Sequence, residues 1–226
     1  MQPMHLFDRL KGAATDEWHA YVAHPFVAGL IDGTLPEAAF RRYLVQDYLF
    51  LIQFARAFAL AAYKSDTLAD LADRAATLQA LVGSEMALHV EYCRGWGLSR
   101  EQIEATPEAR ATVAYTRYVL DRGSAGDVLD LEVALAPCTI GYGMIGRAAR
   151  NDRRLKTEGN PYMPWIEMYS GEEYLAVADG AVQRLERIEA MIEGLERRLW
   201  MTVYGVVAVI LTQAVQSILE YAPKGG

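Results

Sequence analysis

The chain has 226 residues, of which 52% are hydrophobic and 23% are charged, and its formal net charge is −7. This length and composition suit one globular domain with a sizeable core, and an acidic surface disfavours nucleic acid as a partner. The longest apolar run, Val203 to Leu211, is shorter than the roughly 20 residues that span a bilayer. We therefore expect a cytoplasmic protein without a membrane anchor, in which Cys93 and Cys138 are thiols.

Segments with helical periodicity follow one another along the chain, separated by Gly and Pro. No segment alternates apolar and polar residues as a half-buried strand would. The pattern predicts an all-α domain over residues 1–226, with caps near Thr34, Thr67 and Ser99. The predicted helices cover about 4–22, 36–64, 67–94, 107–122, 126–150, 161–169, 171–195 and 197–221.

The second predicted helix carries an acidic residue on its apolar face. Phe40, Tyr43 and Phe50 recur at helical spacing, and Asp47 lies between them. An ionised carboxylate in apolar surroundings is costly unless it is paired or hydrogen-bonded. Asp47 is therefore either satisfied by a neighbouring helix or directed into a polar pocket within the bundle.

The third predicted helix places Glu85 and His89 on its apolar face. The two residues are four apart and can contact each other, which is compatible with a structural pair. As metal ligands they lack the partner carboxylates of a di-iron bundle, and the Cys and His spacing fits no zinc site. We predict no metal and no cofactor. The other residues of the predicted face are Leu71, Ala75, Leu78, Val82 and Tyr92.

The fifth predicted helix brings Cys138 and Tyr142 onto one face, next to Pro137. A cysteine on an apolar face is usually an inert small side chain. Pro137 disfavours a straight helix here, and the Tyr142 hydroxyl would stabilise a thiolate, so Cys138 is also a candidate nucleophile. Tyr115 and Tyr169 are of the type that stacks on a flat heteroaromatic ligand.

Six segments match one known family in order and spacing, from about residue 18 to 175. They are His24-Pro25-Phe26-Val27 with Asp32 to Pro36, Tyr43 to Leu51, Glu85 to His89 with Tyr92, Ala114 to Thr116, Pro137-Cys138 with Tyr142, and Tyr169 to Gly171. Together they resemble the TenA (thiaminase II) family. The resemblance implies a haem-oxygenase-like helical bundle, commonly a homotetramer. It also implies hydrolysis of an aminopyrimidine or thiamin to hydroxymethylpyrimidine in thiamin synthesis or salvage.

The resemblance implies catalytic roles for three residues. Cys138 would add to the pyrimidine ring, Asp47 would hold the ring's amino group and a neighbouring nitrogen, and Tyr142 would position the thiol. Addition of a thiolate removes the ring's aromaticity and allows its electrons to expel the leaving group. Water would then attack the exocyclic alkene, and the thiolate would depart.

The resemblance also implies contacts with the substrate. Tyr115 and Tyr169 would stack on it or hydrogen-bond to it, and Glu85 belongs to the same substrate-binding set. Phe50 stands where the family often has a tyrosine, so a hydroxyl is missing there.

The family's final helix normally carries a catalytic glutamate, and this chain departs from that pattern. The expected position falls at or near Leu211 on an apolar stripe, and the nearest acids are Glu196 and Glu220. A register shift would bring Glu196 into the site. Otherwise the protein binds a pyrimidine without hydrolysing it, another residue supplies the proton, or the final helix has been replaced.

Two further hypotheses remain open beside the hydrolase. In the first, the chain binds a pyrimidine, or has a regulatory role, and catalyses no reaction. In the second, which fold analogy alone suggests, it is a haem or metal protein in which His19 is a ligand. Residues 200–211 are apolar nearly all round, so a helix there must be buried on several sides. Together with the family resemblance, this predicts a homo-oligomer.

Overall fold

The computed structural model describes residues 5–194, and every regular element among them is helical. The predicted all-α fold is confirmed for these residues. The helices are α1 (Leu6–Ala13), α2 (Thr15–Val22), α3 (Pro25–Asp32), α4 (Glu37–Tyr63), α5 (Leu68–Ala80), α6 (Met86–Gly95), α7 (Arg100–Glu104), α8 (Arg110–Ala125), α9 (Val128–Asn151) and α10 (Met163–Ser170). A π-helical turn, Leu81–Glu85, joins α5 to α6, and residues 172–194 are also helical.

The chain divides after Leu185 into two compact units. Residues 5–185 hold every element discussed below, and residues 186–194 are a helical segment of the second unit. The expectation of one domain over residues 1–226 stays a prediction. The predicted final helix, with Glu196 and Leu211, lies outside the described residues.

The N-terminal region contains more breaks than its periodicity indicates. The predicted helix at 4–22 is two helices, because the backbone leaves the helical conformation at Ala14. The predicted break around His24-Pro25 instead starts α3, since proline at the first position suits a helix start. Gly33 ends α3 with a φ of 73°, a left-handed conformation that favours glycine.

Two of the three predicted caps are confirmed. The Thr67 hydroxyl accepts the backbone N–H of Asp70 at the start of α5, and Ser99 forms a capping box with Gln102 at the start of α7. The prediction at Thr34 was wrong, because α4 begins after Pro36 and no side chain caps it.

The π-helical turn changes which residues of the third predicted helix are buried. An i→i+5 turn adds a residue to the helical repeat and rotates the following face. Before it the buried side chains are Arg74 and Thr77, whereas Leu71 and Val82 are 40% and 52% exposed. The apolar stripe predicted for this part of the helix was therefore wrong.

Helices α4 and α9 form the centre of the first unit. Helix α4 packs against α5, α6, α8 and α9, and α9 also packs against α8 and α10. A Cβ at Gly146 of α9 would overlap the carbonyl oxygen of Tyr169, so glycine allows α10 to lie directly on α9. These contacts place α4, α6, α9 and α10 around one interior region.

Both central helices have the length and apolar composition of a membrane-spanning helix. In each, however, 61% of the apolar segment is buried inside the bundle. Core helices share this composition, so α4 and α9 are not evidence for a membrane span.

Candidate active site around Cys138

Cys138 lies on α9, is 8% exposed, and borders two cavities. The larger, the tyrosine cavity, has a volume of about 630 Å³ and the smaller, the glutamate cavity, about 300 Å³. The tyrosine cavity is lined in part by Tyr43, Asp47, Phe50, Tyr115, Cys138 and Tyr142. The glutamate cavity is lined in part by Glu85, Cys138, Thr139, Glu167, Glu172 and Glu173.

The site residues predicted from the sequence therefore do not all line the same cavity. Asp47, Phe50, Tyr115 and Tyr142 line the tyrosine cavity together with Cys138. Glu85 lines the glutamate cavity. Tyr169 lines neither cavity: it is fully buried behind Glu85, and its hydroxyl donates a hydrogen bond of 2.6 Å to Glu85 Oε1.

Asp47 is a buried carboxylate with donors from three helices. Its Oδ2 lies 3.0 Å from the Tyr43 hydroxyl and 2.8 Å from His89 Nε2. Its Oδ1 accepts a longer bond of 3.4 Å from the Tyr142 hydroxyl. Asp47 is thus satisfied by neighbouring helices and also lines a cavity, and Oδ1 keeps capacity for another donor.

His89 is the principal partner of Asp47 and was not predicted as such. It is completely buried, and its Nδ1 lies 2.8 Å from the backbone carbonyl of Glu85. Because a carbonyl only accepts, Nδ1 carries a proton. Burial alone would lower the pKa of His89, but the hydrogen bond with Asp47 and the charge of Asp47 raise the pKa overall. Both ring nitrogens face acceptor oxygens, so this geometry and the raised pKa favour the doubly protonated form of His89 beside Asp47.

The anticipated contact between Glu85 and His89 runs through the Glu85 backbone, not through its carboxylate. The π-helical turn ends at Glu85 and sets the orientation of the two side chains, which simple i,i+4 spacing does not anticipate. The sequence signal for the actual pair was the presence of two buried ionisable residues of opposite charge, Asp47 and His89, on helices that pack together.

The aromatic residues form the wall and the hydrogen-bonded rim of the tyrosine cavity. Tyr115 stacks on Phe50 with ring centroids 5.6 Å apart, and its hydroxyl donates to the carbonyl of Ala134. The Tyr142 hydroxyl lies 3.1 Å from that of Tyr43 and also bonds Asp47. Among the described contacts, Tyr142 therefore uses its hydroxyl on the Asp47 network and not on the Cys138 thiol.

The Cys138 thiol is protonated at neutral pH in this environment. Burial raises its pKa well above the ordinary value of 9.0, and the charges of Glu85 and Asp47 raise it further. A nucleophilic role therefore requires a base that removes the thiol proton during attack.

Glu85 has the titration behaviour of such a base. Burial raises its pKa from 4.5 to about 7, against the opposing effects of the Tyr169 hydrogen bond and the charge of His89. A carboxyl group with this pKa exchanges a proton readily near neutral pH.

A second buried ionic cluster lies away from both cavities and was not predicted. Glu132 of α9 lies 3.1 Å from Arg74 and 3.5 Å from Arg184, and Arg184 also contacts Asp73 at 2.8 Å. Glu132 and both arginines are nearly completely buried. The cluster joins α5, α9 and the helical residues after 172, which is a structural role.

Residues 5–194 contain no group of three or more His, Cys, Asp and Glu side chains arranged to hold a metal ion. His19, considered above as a haem ligand, lies on an exposed part of α2 and lines neither cavity.

Comparison with known proteins agrees with the sequence resemblance. The model of the TENA/THI-4/PQQC family matches residues 13–201. An uncharacterised protein of Haemophilus influenzae is 39% identical over 180 residues, which cover 80% of this chain and 83% of that protein. An aminopyrimidine aminohydrolase of Halalkalibacterium halodurans is 35% identical over 194 residues, with 83% of each chain covered.

Solved structures support the same assignment. A TenA family transcription regulator from Silicibacter sp. TM1040 is 43% identical and gives a TM-score of 0.75, covering 85% of this chain and 81% of the other. A domain of unknown function from Shewanella denitrificans with a heme oxygenase-like fold gives a TM-score of 0.60 at 14% identity, with 96% of each chain covered, and it bears on the fold alone. The predicted haem-oxygenase-like fold is confirmed.

Proposed function

Because the chain belongs to the TENA/THI-4/PQQC family, we propose that it is an aminopyrimidine aminohydrolase of the thiaminase II type. Cys138 is the nucleophile, and Asp47 holds the pyrimidine ring. The observation that carries this proposal is that Cys138 and Asp47 line one cavity of about 630 Å³.

The tyrosine cavity suits a small flat ring that carries an amino group. Its volume falls within the usual range for small-molecule sites, roughly 300–1,000 Å³. Phe50 and Tyr115 offer stacked aromatic surface. Asp47 Oδ1 accepts one long hydrogen bond from Tyr142, so an exocyclic amino group would be a better donor to this oxygen. The remaining aromatic walls, which include Tyr43, would exclude water from the ring.

The reaction class follows from the nucleophile. Attack of the Cys138 sulfur on the ring interrupts its aromaticity, and the ring electrons then break the bond between the exocyclic carbon and the leaving amine. Water adds to that carbon, and loss of the sulfur restores the ring. Each stage moves a proton, so the site also needs a proton carrier.

The alternative is a member of the family that binds a pyrimidine without hydrolysing it. The observation that favours it is the raised pKa of the Cys138 thiol, which makes the resting thiol a poor nucleophile. The acid expected near Leu211 lies outside the described residues. The expected cytoplasmic location and homotetramer also stay predictions that rest on the family resemblance.

Turnover by the full chain tests the proposal. We expect hydroxymethylpyrimidine to form from an aminomethylpyrimidine or from thiamin, as measured by chromatography. Cys138→Ala should lower kcat by roughly 10³-fold or more, because the covalent route is lost. Cys93→Ala is the matched control, because Cys93 is also a buried free thiol but lines neither cavity.

Two outcomes would contradict the hydrolase. One is a Cys138→Ala variant that is as active as the Cys93→Ala control. The other is the absence of turnover on both substrates, in which case calorimetry on the same samples decides whether a pyrimidine still binds.

A further inference from the structure

The glutamate cavity gives Cys138 a second carboxylate neighbour, in addition to Asp47 of the tyrosine cavity. The cavity has a volume of about 300 Å³, and both Glu85 and Cys138 form its walls. Three more acidic residues, Glu167, Glu172 and Glu173, line it as well. A cavity of this charge favours a cation or a neutral amine that gains a proton.

One oxygen of the Glu85 carboxyl group accepts a hydrogen bond, and the other has no described donor. Tyr169 donates its hydroxyl to Oε1 at 2.6 Å, which fixes the carboxyl group from α10. Among residues 5–194, Oε2 has no hydrogen-bond partner, and Glu85 lines the cavity. An oriented carboxyl group with one unused oxygen is suited to accept and return a proton.

Thr139 supplies an independent sign that the cavity receives a ligand. Its side chain is 4% exposed and lines the same cavity. Its hydroxyl is buried and has no hydrogen-bond partner among residues 5–194. A buried polar group without a partner is uncommon and costly in a native protein, so a ligand or water in the cavity would satisfy it.

We propose that Glu85 is the proton carrier of the Cys138 site and that the glutamate cavity receives the leaving amine. This inference rests on the proposed function and names a residue within 5–194 for the proton-transfer role that the family's final helix normally supplies. Tyr169 is a positioning residue, since it acts through the Glu85 carboxyl group.

The steps balance with Glu85 as the proton carrier. The Glu85 carboxylate takes the proton of Cys138 as the sulfur–carbon bond forms and the ring becomes an anion. The ring electrons break the carbon–nitrogen bond, and the protonated Glu85 gives its proton to the departing nitrogen, which leaves as a neutral amine.

The second half of the reaction reverses the proton transfers. Water adds to the exocyclic carbon and loses one proton to Glu85, and the ring is again an anion. The sulfur–carbon bond breaks, aromaticity returns, and Glu85 gives its proton to the Cys138 thiolate. The site ends in its starting state after one amine is replaced by one hydroxyl group.

Asp47 is the less suitable carrier because it is already occupied. It accepts hydrogen bonds from Tyr43, His89 and Tyr142, so both of its oxygens already have donors. Glu85 has one donor, and its pKa of about 7 allows both protonation states at neutral pH.

Besides burial, three groups on three helices shift the pKa of Glu85, and Glu167, Glu172 and Glu173 line the same cavity. Asp47 on α4 raises its pKa, and His89 on α6 and the Tyr169 hydroxyl on α10 lower it. Cys138 on α9 titrates far above neutral pH. We therefore expect an ionisation near neutral pH in kcat/KM that belongs to Glu85. Tyr169→Phe should move it to higher pH, because the hydrogen bond that lowers the pKa is removed.

The test compares Glu85→Gln with Glu91→Gln, which removes an exposed carboxylate on α6 that lines neither cavity. Removal of a general acid–base residue lowers kcat by about 10²–10⁴-fold. We expect this loss in Glu85→Gln with little change in KM, loss of the ionisation near neutral pH, and partial recovery in Glu85→Asp. Circular dichroism checks that each variant is folded.

Alkylation of Cys138 by iodoacetamide provides a readout that does not need turnover, with Cys138→Ala as the background. If Glu85 removes the thiol proton, Glu85→Gln should slow alkylation at neutral pH. If Glu85 is only a neighbouring negative charge, its removal should lower the pKa of Cys138 and speed alkylation.

The outcomes separate this inference from the proposed function. Hydrolysis by the parent chain with unchanged kcat in Glu85→Gln overturns the assignment of Glu85 and leaves the hydrolase intact. Absence of hydrolysis in the parent overturns the proposed function. In that case slower alkylation in Glu85→Gln still supports proton transfer from Cys138, and equal or faster alkylation overturns it.

Discussion

Two carboxylates from different helices line the cavities that border Cys138, and the number of hydrogen-bond donors around each carboxylate differs. Asp47 is surrounded by donors, with two close contacts at Oδ2 and a third at Oδ1. Glu85 has a single donor, and its second oxygen has no described partner. A saturated carboxylate is fixed in charge and position, whereas a sparsely bonded one changes protonation at low cost.

The two cavities also differ in how many of their polar side chains already have hydrogen-bond partners. The tyrosine hydroxyls around the tyrosine cavity are bonded to one another, to Asp47 or to backbone carbonyls. The glutamate cavity contains the unpartnered hydroxyl of Thr139 and four glutamates. We infer that the tyrosine cavity is preorganised for a ring, and that the glutamate cavity is completed by what enters it.

Replacing Asp47 with Asn has the largest expected effect on stability. The change leaves His89 without a charged partner inside the bundle, and breaking a buried ion pair costs about 3–5 kcal/mol in the free energy of unfolding. Urea denaturation near neutral pH, without substrate, measures this loss.

Asp179→Asn is the control for the Asp47 substitution. Asp179 forms an ion pair with Arg147, and both side chains are about half exposed. Such pairs contribute at most about 1 kcal/mol. Equal losses in the two variants would show that Asp47 is not a tightly paired group, and the contrast with Glu85 would fail.

Replacing Glu85 with Gln should change how stability depends on pH. The folded protein raises the pKa of Glu85 from 4.5 to about 7, so it favours the protonated form. The resulting stabilisation is fully present below pH 4.5 and is lost as the pH rises through about 7. Each pKa unit corresponds to about 1.4 kcal/mol. We therefore expect the contribution of Glu85 to the free energy of unfolding to fall by about 2–3 kcal/mol between about pH 5 and pH 8.

Urea unfolding of the parent and of Glu85→Gln at both pH values isolates this contribution, because the two proteins differ only in the Glu85 side chain. The stability of Glu85→Gln should fall less with rising pH than that of the parent. Parallel pH dependences would mean that the Glu85 carboxyl group is hydrated like a surface carboxylate.

The sequence predicted the fold class and the helices that carry the site, but not the pairing within it. Helical periodicity locates α4 and α9 to within a few residues, because each buries a broad apolar face. It placed Asp47 and Cys138 on those faces. It did not identify His89 as the partner of Asp47, because pairing depends on how helices pack against each other.

Helical periodicity in the sequence also failed to predict the π-helical turn. Leu81–Glu85 contains Gly83 but no proline, and one glycine within a helical pattern does not identify a π-helical turn, so the predicted stripe continued to exposed residues such as Val82. The turn sits directly before the helix that carries His89, and it brings the Glu85 carboxyl group to the glutamate cavity. Irregular helical turns of this type are frequent at functional sites.

The smallest effect is expected at Thr139, and its sign distinguishes a ligand site from an ordinary core position. Thr139→Val removes a buried hydroxyl that has no partner, so the free energy of unfolding should stay level or rise by about 1 kcal/mol. Thr116→Val is the matched control, because Thr116 is equally buried but bonds the carbonyl of Thr112 at 2.8 Å. The free energy of unfolding of the Thr116→Val control should fall by about 1 kcal/mol.

If Thr139→Val is more stable than the parent but turns over substrate more slowly, the Thr139 hydroxyl serves a group that enters the glutamate cavity. A loss of stability equal to that of Thr116→Val would instead mean that the hydroxyl already has a partner in the folded protein, and the contrast between the two cavities would disappear.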